Sequence, residues 1–331
     1  MSLRDSGLRT GLPLLPKGLL SLLSPGGPRG LSILIYHRVL PRKDPLFPGD
    51  VDRIEFDRHM ALVRSHFNVL PLRDAVRLMR EGRLPRRAAC ITFDDGYADN
   101  ADIALPILQK HGLHATFFIA SGFLNGGRMW NDTVIETVRM APGDVLDATE
   151  LGLGRHALAS VEDRRTALHS LIGQLKYRDM EERQQLVDAL SAKAGRALPA
   201  DLMMDTAQLR RLHGAGMHIG AHTMNHPILA RIPAAQARQE IAGGRAALRE
   251  LLDEEIPLFA YPNGKPGTDY GAEHVDMVRD LGFEAAVSTA WGTSRGRSDF
   301  FQLPRFTPWD RNRFGFVLRL ARNLTQNAVT V

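Results

Sequence analysis

The sequence has little cysteine: Cys90 is the only one in 331 residues. One cysteine excludes a disulfide within the chain, and its position in an apolar run favours a buried, inert thiol. The sequence also lacks any apolar run close to the roughly 20 residues of a membrane-spanning helix. A chain of this length can bury a large core, so it needs neither a disulfide nor a structural metal to fold.

Aromatic residues make up only 7% of the chain, and no stretch interleaves them with basic residues. The formal net charge of +5 is spread along the sequence. Proteins that bind nucleic acid usually concentrate their basic residues in one patch or known module. We therefore predict a globular protein with a basic surface and no nucleic-acid partner.

The N-terminal stretch GLPLLPKGLLSLLSPGGPRG is rich in leucine, but Pro13, Pro16 and Lys17 interrupt it. No small-residue cleavage site follows, so we predict no secretion and expect a cytoplasmic location. Residues 1–30 are predicted to form an N-terminal extension. This extension either makes a peripheral contact with the inner membrane or docks on the protein itself.

Short apolar runs alternate with amphipathic stretches from residue 31 onwards. Predicted strands are LSILIYH, AACITF, ATFFIA, MHIGAH, IPLFAY and FEAAVS. Predicted helices cover 54–66, 72–82, 101–112 and about 233–252. This alternation indicates an α/β fold built on a parallel sheet or barrel.

Residues 125–204 interrupt the alternation. They are rich in Arg, Glu, Leu and Ala at helical spacing and have few strand signals, so we predict a helical insertion. Asp205 and Gln208 then resemble a capping box, which predicts that the scaffold resumes with a helix there.

Polar residues collect at the ends of the predicted strands: His37, Asp94, Asp95, His222 and Tyr261. Ligands of parallel α/β folds bind at the carboxyl ends of the strands, so this shared placement indicates a functional site. The adjacent carboxylates of Asp94 and Asp95 repel each other if they are buried, and they would need a positive partner. The alternative is a solvated acidic turn.

The stretch GAHTMNHP supplies two imidazoles, His222 and His226. Pro227 disfavours helix at the residue before it, so we expect a compact turn, with ordinary packing or surface histidines as the alternative. Two imidazoles and one carboxylate are the ligand set of catalytic zinc or a similar divalent ion with open positions. Such a cation would also relieve the repulsion between the two aspartates.

The motif pair TFDDG and HTMNH resembles the first two motifs of the polysaccharide deacetylases, the NodB-homology enzymes of carbohydrate esterase family 4. The resemblance covers about residues 31–124 and 205–310. It implies a distorted (β/α)7 barrel, so that residues 31–331 form a deacetylase domain interrupted by the insertion. It further implies that Asp94 is the general base. The implied ligands of one divalent metal, zinc first and cobalt or nickel as alternatives, are Asp95, His222 and His226.

The third family motif, Arg-x-Pro-Tyr, is incomplete in FAYPNG, because Ala260 replaces the arginine and Asn263 replaces the tyrosine. The arginine of the family orients the catalytic aspartate. Arg305 in LPRF is the candidate replacement, with a solvated arginine as the alternative. Tyr261, Asn263 and Arg305 are predicted to contact the substrate, and the backbone N–H of Asn263 is the candidate oxyanion donor.

The late Leu-x-Leu-His motif that supplies the general acid of the family is absent, and LIYHRV places His37 at the end of the first strand. This arrangement is similar to that of the biofilm poly-N-acetylglucosamine deacetylases, where an early Tyr-His pair supplies the acid. The resemblance implies that His37 is the general acid, with a packing histidine as the alternative. Trp309 is predicted to stack on a sugar ring, with core packing as the alternative.

These motifs lead to a hypothesis about function. We expect a metal-dependent hydrolase that removes N-acetyl groups from an amino-sugar glycan or glycan precursor, in exopolysaccharide or cell-envelope biosynthesis. Two alternatives stay open: hydrolysis of another non-peptide amide, and a catalytically silent glycan-binding protein of a polysaccharide assembly complex. The missing motif arginine supports the silent protein, whereas the retained acid pair supports the enzyme.

Overall fold

The computed structural model describes residues 30–307, 323 and 328–331. The predictions for residues 1–29 and for Trp309 lie outside the described residues. Among the residues that are described, no helix is long and apolar enough to cross a membrane.

The chain alternates strands and helices over most of its length. The strands are β1 (Leu31–Tyr36), β2 (Asn68–Val69), β3 (Ala88–Phe93), β4 (Thr116–Ile119), β5 (Val145–Ala148), β6 (Gly154–Ala157), β7 (His218–Ala221), β8 (Leu258–Ala260) and β9 (Ala285–Val287). The α-helices are α1 (Arg53–His66), α2 (Leu72–Arg80), α3 (Leu105–His111), α4 (Trp130–Met140), α5 (Val161–Leu175), α6 (Met180–Ser191), α7 (Thr206–Gly214), α8 (Ala234–Leu252) and α9 (Ala272–Asp280).

The main sheet is parallel and has the strand order β1-β3-β4-β7-β8-β9, with β2 paired to the start of β3. Residues 303–306 join its two ends, because Leu303 pairs with Val287 of β9 and Phe306 pairs with Leu34 of β1. The six strands and this closing segment together form the seven elements of the barrel wall. The sheet is therefore curled into the distorted α/β barrel that the sequence predicted.

Alternate residues of the strands enter two different hydrophobic clusters, as the two-residue period of a strand requires. One cluster includes residues of α1, α7 and α8 and therefore lies outside the barrel. The other lies inside it, contains Cys90 and Phe118, and is closed by α2. Cys90 is 0% exposed, as predicted. Thr92 and Asp94 follow Cys90 at intervals of two and so face the barrel interior.

The predicted helices agree with α1, α2 and α8, and the capping box of Asp205 and Gln208 is present at the start of α7. The helix predicted over 101–112 differs at its start, where Asn100–Ala104 form a π-helical turn before α3. Gly112 ends α3 in the left-handed conformation, with a φ of 62°.

The insertion contains α4, α5 and α6, which share a hydrophobic core of their own. It also contains an antiparallel hairpin of β5 and β6, which the helical prediction missed. Exposed and buried residues alternate along Val145–Ala148, as the two-residue period of a strand requires. The alternating stretch is only four residues long, which makes it a weak signal in the sequence.

Candidate active site

The site forms where the carboxyl ends of several strands are bonded to one another. The Asp94 N–H donates to the Tyr36 carbonyl at 3.0 Å, which links the end of β3 to the end of β1. The Ala120 N–H donates to the Asp95 carbonyl at 3.2 Å, and the His222 N–H donates to the Ile119 carbonyl at 3.0 Å. These bonds bring TFDDG and HTMNH to one edge of the barrel.

The turns at this edge have unusual backbone conformations. Asp95, Thr223, His226 and Asn263 have φ values of 77°, 64°, 53° and 57°. Left-handed conformations cost on the order of 1–3 kcal/mol for a non-glycine residue and concentrate at functional sites. Thr223 is the clearest outlier, because β-branched residues rarely adopt a positive φ.

Asp95, His222 and His226 form a cluster that can hold a metal ion. The Asp95 Oδ1 atom lies 3.4 Å from the Nε2 atom of each histidine, and the three ligand atoms lie within 4.8 Å of one another. The His222 Nδ1 atom lies 2.8 Å from the Ala260 carbonyl, to which it can donate. That bond leaves the His222 Nε2 lone pair for a metal, as second-shell partners of metal-binding histidines do.

The protonation states of Asp95 and His226 suit a cation. Burial raises the pKa of Asp95, but the hydrogen bond from His222 and the charges of the histidines outweigh burial and hold it well below its usual range. Burial lowers the pKa of His226 to about 4. Metals bind carboxylates and neutral imidazoles, so the donor set fits a divalent ion such as zinc.

Helix α8 holds the turn that carries the histidines. The Glu240 carboxylate accepts hydrogen bonds from the Met224 N–H at 3.0 Å and from the Asn225 N–H at 2.8 Å. A Cβ atom at Gly244 would lie 2.6 Å from the Thr223 backbone. Only glycine allows this approach, so Glu240 and Gly244 are functional positions that the sequence motifs did not reveal.

Asp94 has a different partner, Arg305, which donates from its two Nη atoms to the two carboxylate oxygens at 2.7 and 2.6 Å. Arg305 is 0% exposed and Asp94 is 2% exposed, so the solvated alternative for Arg305 is wrong. Burial raises the pKa of Asp94, but the charges of Arg305 and His222 outweigh burial and hold it below its ordinary value.

The closing segment of the barrel delivers Arg305 to this position. The Arg305 Nε atom donates to the Ser288 carbonyl at 2.9 Å, and its Nη1 atom donates to Thr92 Oγ1 at 3.2 Å. Ala260, which stands where the family has its arginine, is 0% exposed on β8. Arg305, which comes from the closing segment between β9 and β1, thus reaches the barrel interior, where Ala260 of β8 has only a methyl group.

His37 directly follows β1, and its side chain is exposed at the site edge. The charge of His37 contributes to the lowered pKa values of Asp94 and Asp95, which places it within electrostatic range of both. Its carbonyl accepts a hydrogen bond from Asn100 Nδ2 at 2.8 Å. The Asp99 carboxylate accepts from the Val39 N–H at 3.0 Å.

The Asp99 carboxylate also accepts a hydrogen bond from Arg38 Nε at 2.8 Å. Asp99 and Asn100 are buried, and their hydrogen bonds hold the segment that carries His37 in place. The sequence analysis missed this role, although both residues are visible at the end of the stretch DDGYADN.

Tyr261 does not lie where a substrate contact was predicted. It is 0% exposed, its hydroxyl donates to the Phe301 carbonyl at 3.0 Å, and its ring stacks on Tyr270 at 3.9 Å. This placement does not support the prediction that Tyr261 contacts substrate. A position at a strand end does not by itself decide whether a side chain faces the site or the hydrophobic cluster outside the barrel.

Asn263 is half-buried and lies in the loop after β8. Its carbonyl accepts a hydrogen bond from Thr289 Oγ1 at 2.7 Å. Among the described residues its backbone N–H has no hydrogen-bond partner, so this donor is available to a ligand.

The insertion is connected to the site through Tyr97 of DDGY. The Tyr97 hydroxyl donates to Asp132 of α4 at 3.0 Å, and the other Asp132 oxygen accepts from the Met129 N–H at 3.1 Å. Burial raises the pKa of Asp132 to about 6. Trp130 is the first residue of α4.

Comparisons with known proteins agree with this geometry. A sequence model of the family described as "Polysaccharide deacetylase" matches residues 81–146 and 166–286. The Bacillus subtilis (strain 168) protein named "Putative polysaccharide deacetylase YxkH" is 33% identical over 280 residues, which are 84% of this chain and 71% of that protein.

Two solved structures share the fold. IcaB from Ammonifex degensii is similar with a TM-score of 0.57 and 19% identity, over 90% of this chain and 98% of that one. The Streptococcus pyogenes deacetylase PplD, in complex with acetate, is similar with a TM-score of 0.56 and 19% identity, over 85% and 92% of the two chains. The sequence matches span both halves of the barrel that carry TFDDG and HTMNH, and the chain belongs to the polysaccharide deacetylase family.

Proposed function

We propose that this protein is a metal-dependent hydrolase that removes N-acetyl groups from an amino-sugar glycan or glycan precursor. One observation carries the proposal: two adjacent aspartates have separate partners. Asp94 pairs with Arg305, and Asp95 faces His222 and His226. Such a division suits one carboxylate to proton transfer and the other to metal binding.

Asp95, His222 and His226 would hold one divalent ion, zinc first, with cobalt or nickel as alternatives. Bound there, the ion supplies Lewis-acid activation of the acetamide carbonyl and of water.

Asp94 is the proposed general base. Its pKa lies below the ordinary value, so it is ionised at neutral pH and can accept a proton from water. The paired hydrogen bonds from Arg305 keep the carboxylate in one orientation. We thus assign to Arg305 the orienting role of the family's motif arginine, which weakens the silent-protein alternative.

His37 and Asn263 complete the proposed chemistry. The backbone N–H of Asn263 donates to the oxyanion that forms when water adds to the carbonyl. His37 delivers a proton to the sugar nitrogen, because an amine leaves an amide readily only when it is protonated. The products are acetate and a free amino sugar.

The early histidine and the lack of a late one favour the biofilm deacetylase branch and a role in exopolysaccharide biosynthesis. IcaB supports this choice only through its fold. A cytoplasmic location, with the N-terminal extension of residues 1–30 in peripheral contact with the inner membrane, remains a prediction.

Release of acetate from N-acetylglucosamine oligomers tests the function. We expect the zinc-loaded protein to release acetate, a chelator to stop the reaction, and added zinc to restore it. His222→Ala should lose metal and activity, whereas His213→Ala, at the end of α7 and paired with Glu254, should lose neither. Binding of the oligomers without any acetate would instead identify the silent glycan-binding protein.

A further inference from the structure

The two junctions of the helical insertion are bonded to each other beside the stretch TFDDGY, and the mechanism proposed above does not use them. The Asn125 N–H, at the entry of the insertion, donates to the Met204 carbonyl at its exit at 3.1 Å. The Gly127 N–H donates to the Ala200 carbonyl at 3.0 Å. The entry and the exit therefore form one joint against the barrel.

The exit segment, residues 202–204, pairs with residues 96–98, which directly follow Asp95. The two segments form an antiparallel bridge and are joined by two backbone hydrogen bonds of 2.9 and 3.0 Å. One of these bonds runs from the Met204 N–H to the Gly96 carbonyl. The backbone that continues from the candidate metal ligand is thus held by the insertion.

Asp95 needs such support because its turn is strained. Asp95 and Gly96 have φ values of 77° and 92°, and a Cβ atom at Gly96 would lie 3.2 Å from the Ile119 side chain. A non-glycine residue keeps a left-handed conformation only where its surroundings impose it. The bond from the Ala120 N–H to the Asp95 carbonyl supplies one constraint, and the pairing with residues 202–204 supplies another.

The side chain of Tyr97 reinforces this joint. Its ring is 4% exposed and packs in one cluster with Met129 of the entry and Met203 of the exit. Its hydroxyl donates to Asp132 of α4, and the Arg38 guanidinium lies 4.7 Å from the centre of its ring. One side chain therefore connects the DDG turn with both junctions and with the segment after β1.

The insertion has a core of its own, formed around α4, α5 and α6 and separate from the two clusters of the barrel. Its junctions therefore determine how it sits on the barrel. Coupling between two parts of a protein is carried by the side chains and hydrogen bonds that connect them. Tyr97 is such a connection, because it follows the turn of Asp95 and bonds to the insertion through Asp132.

We propose that Tyr97 is a positioning residue for the metal ligand Asp95, which it ties to Asp132 of the insertion, so that docking of the insertion and metal binding stabilise each other. The inference rests on the metal site of the proposed function. Tyr97 acts through the backbone of residues 95–97. Coupling of this kind is reciprocal: the factor by which docking strengthens metal binding is the factor by which metal strengthens docking.

Zinc affinity tests the role of the Tyr97 hydroxyl. We would measure the zinc dissociation constant at neutral pH by competition with a chromogenic chelator. Tyr97→Phe should bind zinc roughly tenfold more weakly, the scale of losing a partner that orients a metal ligand. Tyr270→Phe is the matched control, because Tyr270 is 0% exposed and its hydroxyl donates to Gln302 at 3.3 Å. A role in the fold alone predicts equal zinc affinity for the two variants, and that result would overturn the inference.

Two variants of Asp132 separate its hydrogen bond from its charge. Asp132→Asn and Asp132→Ala both remove the charge, but the amide oxygen of the asparagine can still accept from the Tyr97 hydroxyl. Asp132→Ala should weaken zinc binding about as much as Tyr97→Phe does, and Asp132→Asn should weaken it much less. The same loss in both Asp132 variants would show that the charge of Asp132 matters and would overturn the positioning role.

Hydrogen exchange of the wild type tests the reciprocal effect and needs no variant of the joint. Zinc should slow amide exchange at residues 127–134 and 202–204 by roughly tenfold, the factor expected for Tyr97→Phe. Exchange in the hairpin of β5 and β6 should not change. In Asp95→Asn, zinc should slow neither junction. Exchange at the junctions of the wild type that zinc leaves unchanged would overturn the inference.

Failure of the proposed function has a different signature, because none of these measurements uses a sugar. A protein that binds zinc but releases no acetate would refute the deacetylase function alone. The zinc affinities and exchange rates would then still decide the role of Tyr97. A wild type that binds no zinc would overturn both the metal site and the inference.

Discussion

At the scale of single residues, the environments of Asp94 and Asp95 are what give two identical side chains different chemistry. Asp94 faces the barrel interior and a buried arginine, whereas Asp95 turns through a positive φ towards the two histidines. Neighbouring side chains at a strand point to opposite faces of the sheet. The carboxylates of Asp94 and Asp95 are therefore directed apart, although the two residues are adjacent in the sequence. A catalytic base and a metal ligand can therefore occupy consecutive positions.

Removal of Arg305 should change both stability and pH dependence. Arg305→Ala removes the cation that most strongly opposes the burial of Asp94, so the pKa of Asp94 rises and less base is ionised at neutral pH. The acidic limb of the kcat/KM profile should move to higher pH. Loss of one partner of a buried pair also costs roughly 3–5 kcal/mol of unfolding free energy.

The control for Arg305 is Arg279→Ala, which breaks an exposed pair with Asp276 and should cost no more than about 1 kcal/mol. In the wild type, the depressed pKa of Asp94 adds to the free energy of unfolding above about pH 4. This contribution is lost as the pH falls through the pKa of Asp94 in the folded protein. An acidic limb that stays in place in Arg305→Ala would contradict the role assigned to Arg305.

Asp132 should make stability fall as the pH rises. Its pKa is about 6 in the folded protein, against roughly 3.9 in an unfolded chain, so the folded state binds the proton more tightly. Between about pH 4 and pH 6 this group should remove about 2 kcal/mol of stability. Urea unfolding of the metal-free protein across this range should show the fall, and Asp132→Asn should lack it.

Asp147→Asn is the control for Asp132, because this acid lies on the exposed side of β5. Its stability should follow the wild type across the same pH range. Parallel curves for the wild type and Asp132→Asn would show that Asp132 does not titrate in this way.

At the scale of elements, local patterns predicted the strands and helices of the barrel, and long-range pairing was harder to predict. The main strands and α1, α2 and α8 follow directly from hydrophobic period and capping. The closing segment was missed, because residues 303–306 are short and contain Pro304. Arg305 could be suggested but not placed, since its partner Asp94 is 211 positions away.

Asn100 should affect His37, the proposed acid, through the His37 backbone carbonyl and without a contact to the imidazole. In Asn100→Ala the His37 carbonyl loses its hydrogen bond, and the segment after β1 is held less firmly. We expect turnover of an N-acetylated sugar to fall about tenfold or more, within the range of general acid catalysis. Hydrolysis of an activated aryl ester should fall less, because its leaving group needs no proton. Metal content should not change.

His37→Ala is the reference for Asn100 and should show the same selectivity with a larger loss, about 10²–10⁴-fold on the amide. An equal loss on amide and ester in Asn100→Ala alone would mean that Asn100 supports the fold but does not position His37. An equal loss in His37→Ala would remove His37 as the acid.

Gly244 should be needed for the histidine turn. An added methyl group would lie 2.6 Å from the Thr223 backbone, so Gly244→Ala should push the turn away from α8 and weaken metal binding at least tenfold. Gly173→Ala is a matched control, because this glycine lies on an exposed side of α5 with nothing within 4 Å of an added Cβ. It should be more stable by about 0.5–1 kcal/mol. Equal metal affinity in the two variants would contradict the close-approach role.

At the scale of the whole molecule, the barrel gathers strand-end loops at one edge and the insertion adds a wall beside them. Sequence motifs predicted the metal-capable cluster, because its residues lie within short stretches at strand ends. The hydrogen bonds of Asp99 and Asn100 to the segment that carries His37 could not be predicted in the same way. Their roles depend on the meeting of the loop after β3 with the segment after β1, which no local sequence pattern records.

The most direct test of the account compares Asp94→Asn with Asp95→Asn by metal content and acetate release. The account predicts that Asp94→Asn keeps a full equivalent of metal and loses at least roughly 10²-fold in turnover, since only the base is removed. Asp95→Asn should lose metal and activity together. Substantial turnover by Asp94→Asn, or metal loss by both variants to the same extent, would contradict the division of roles between the two aspartates.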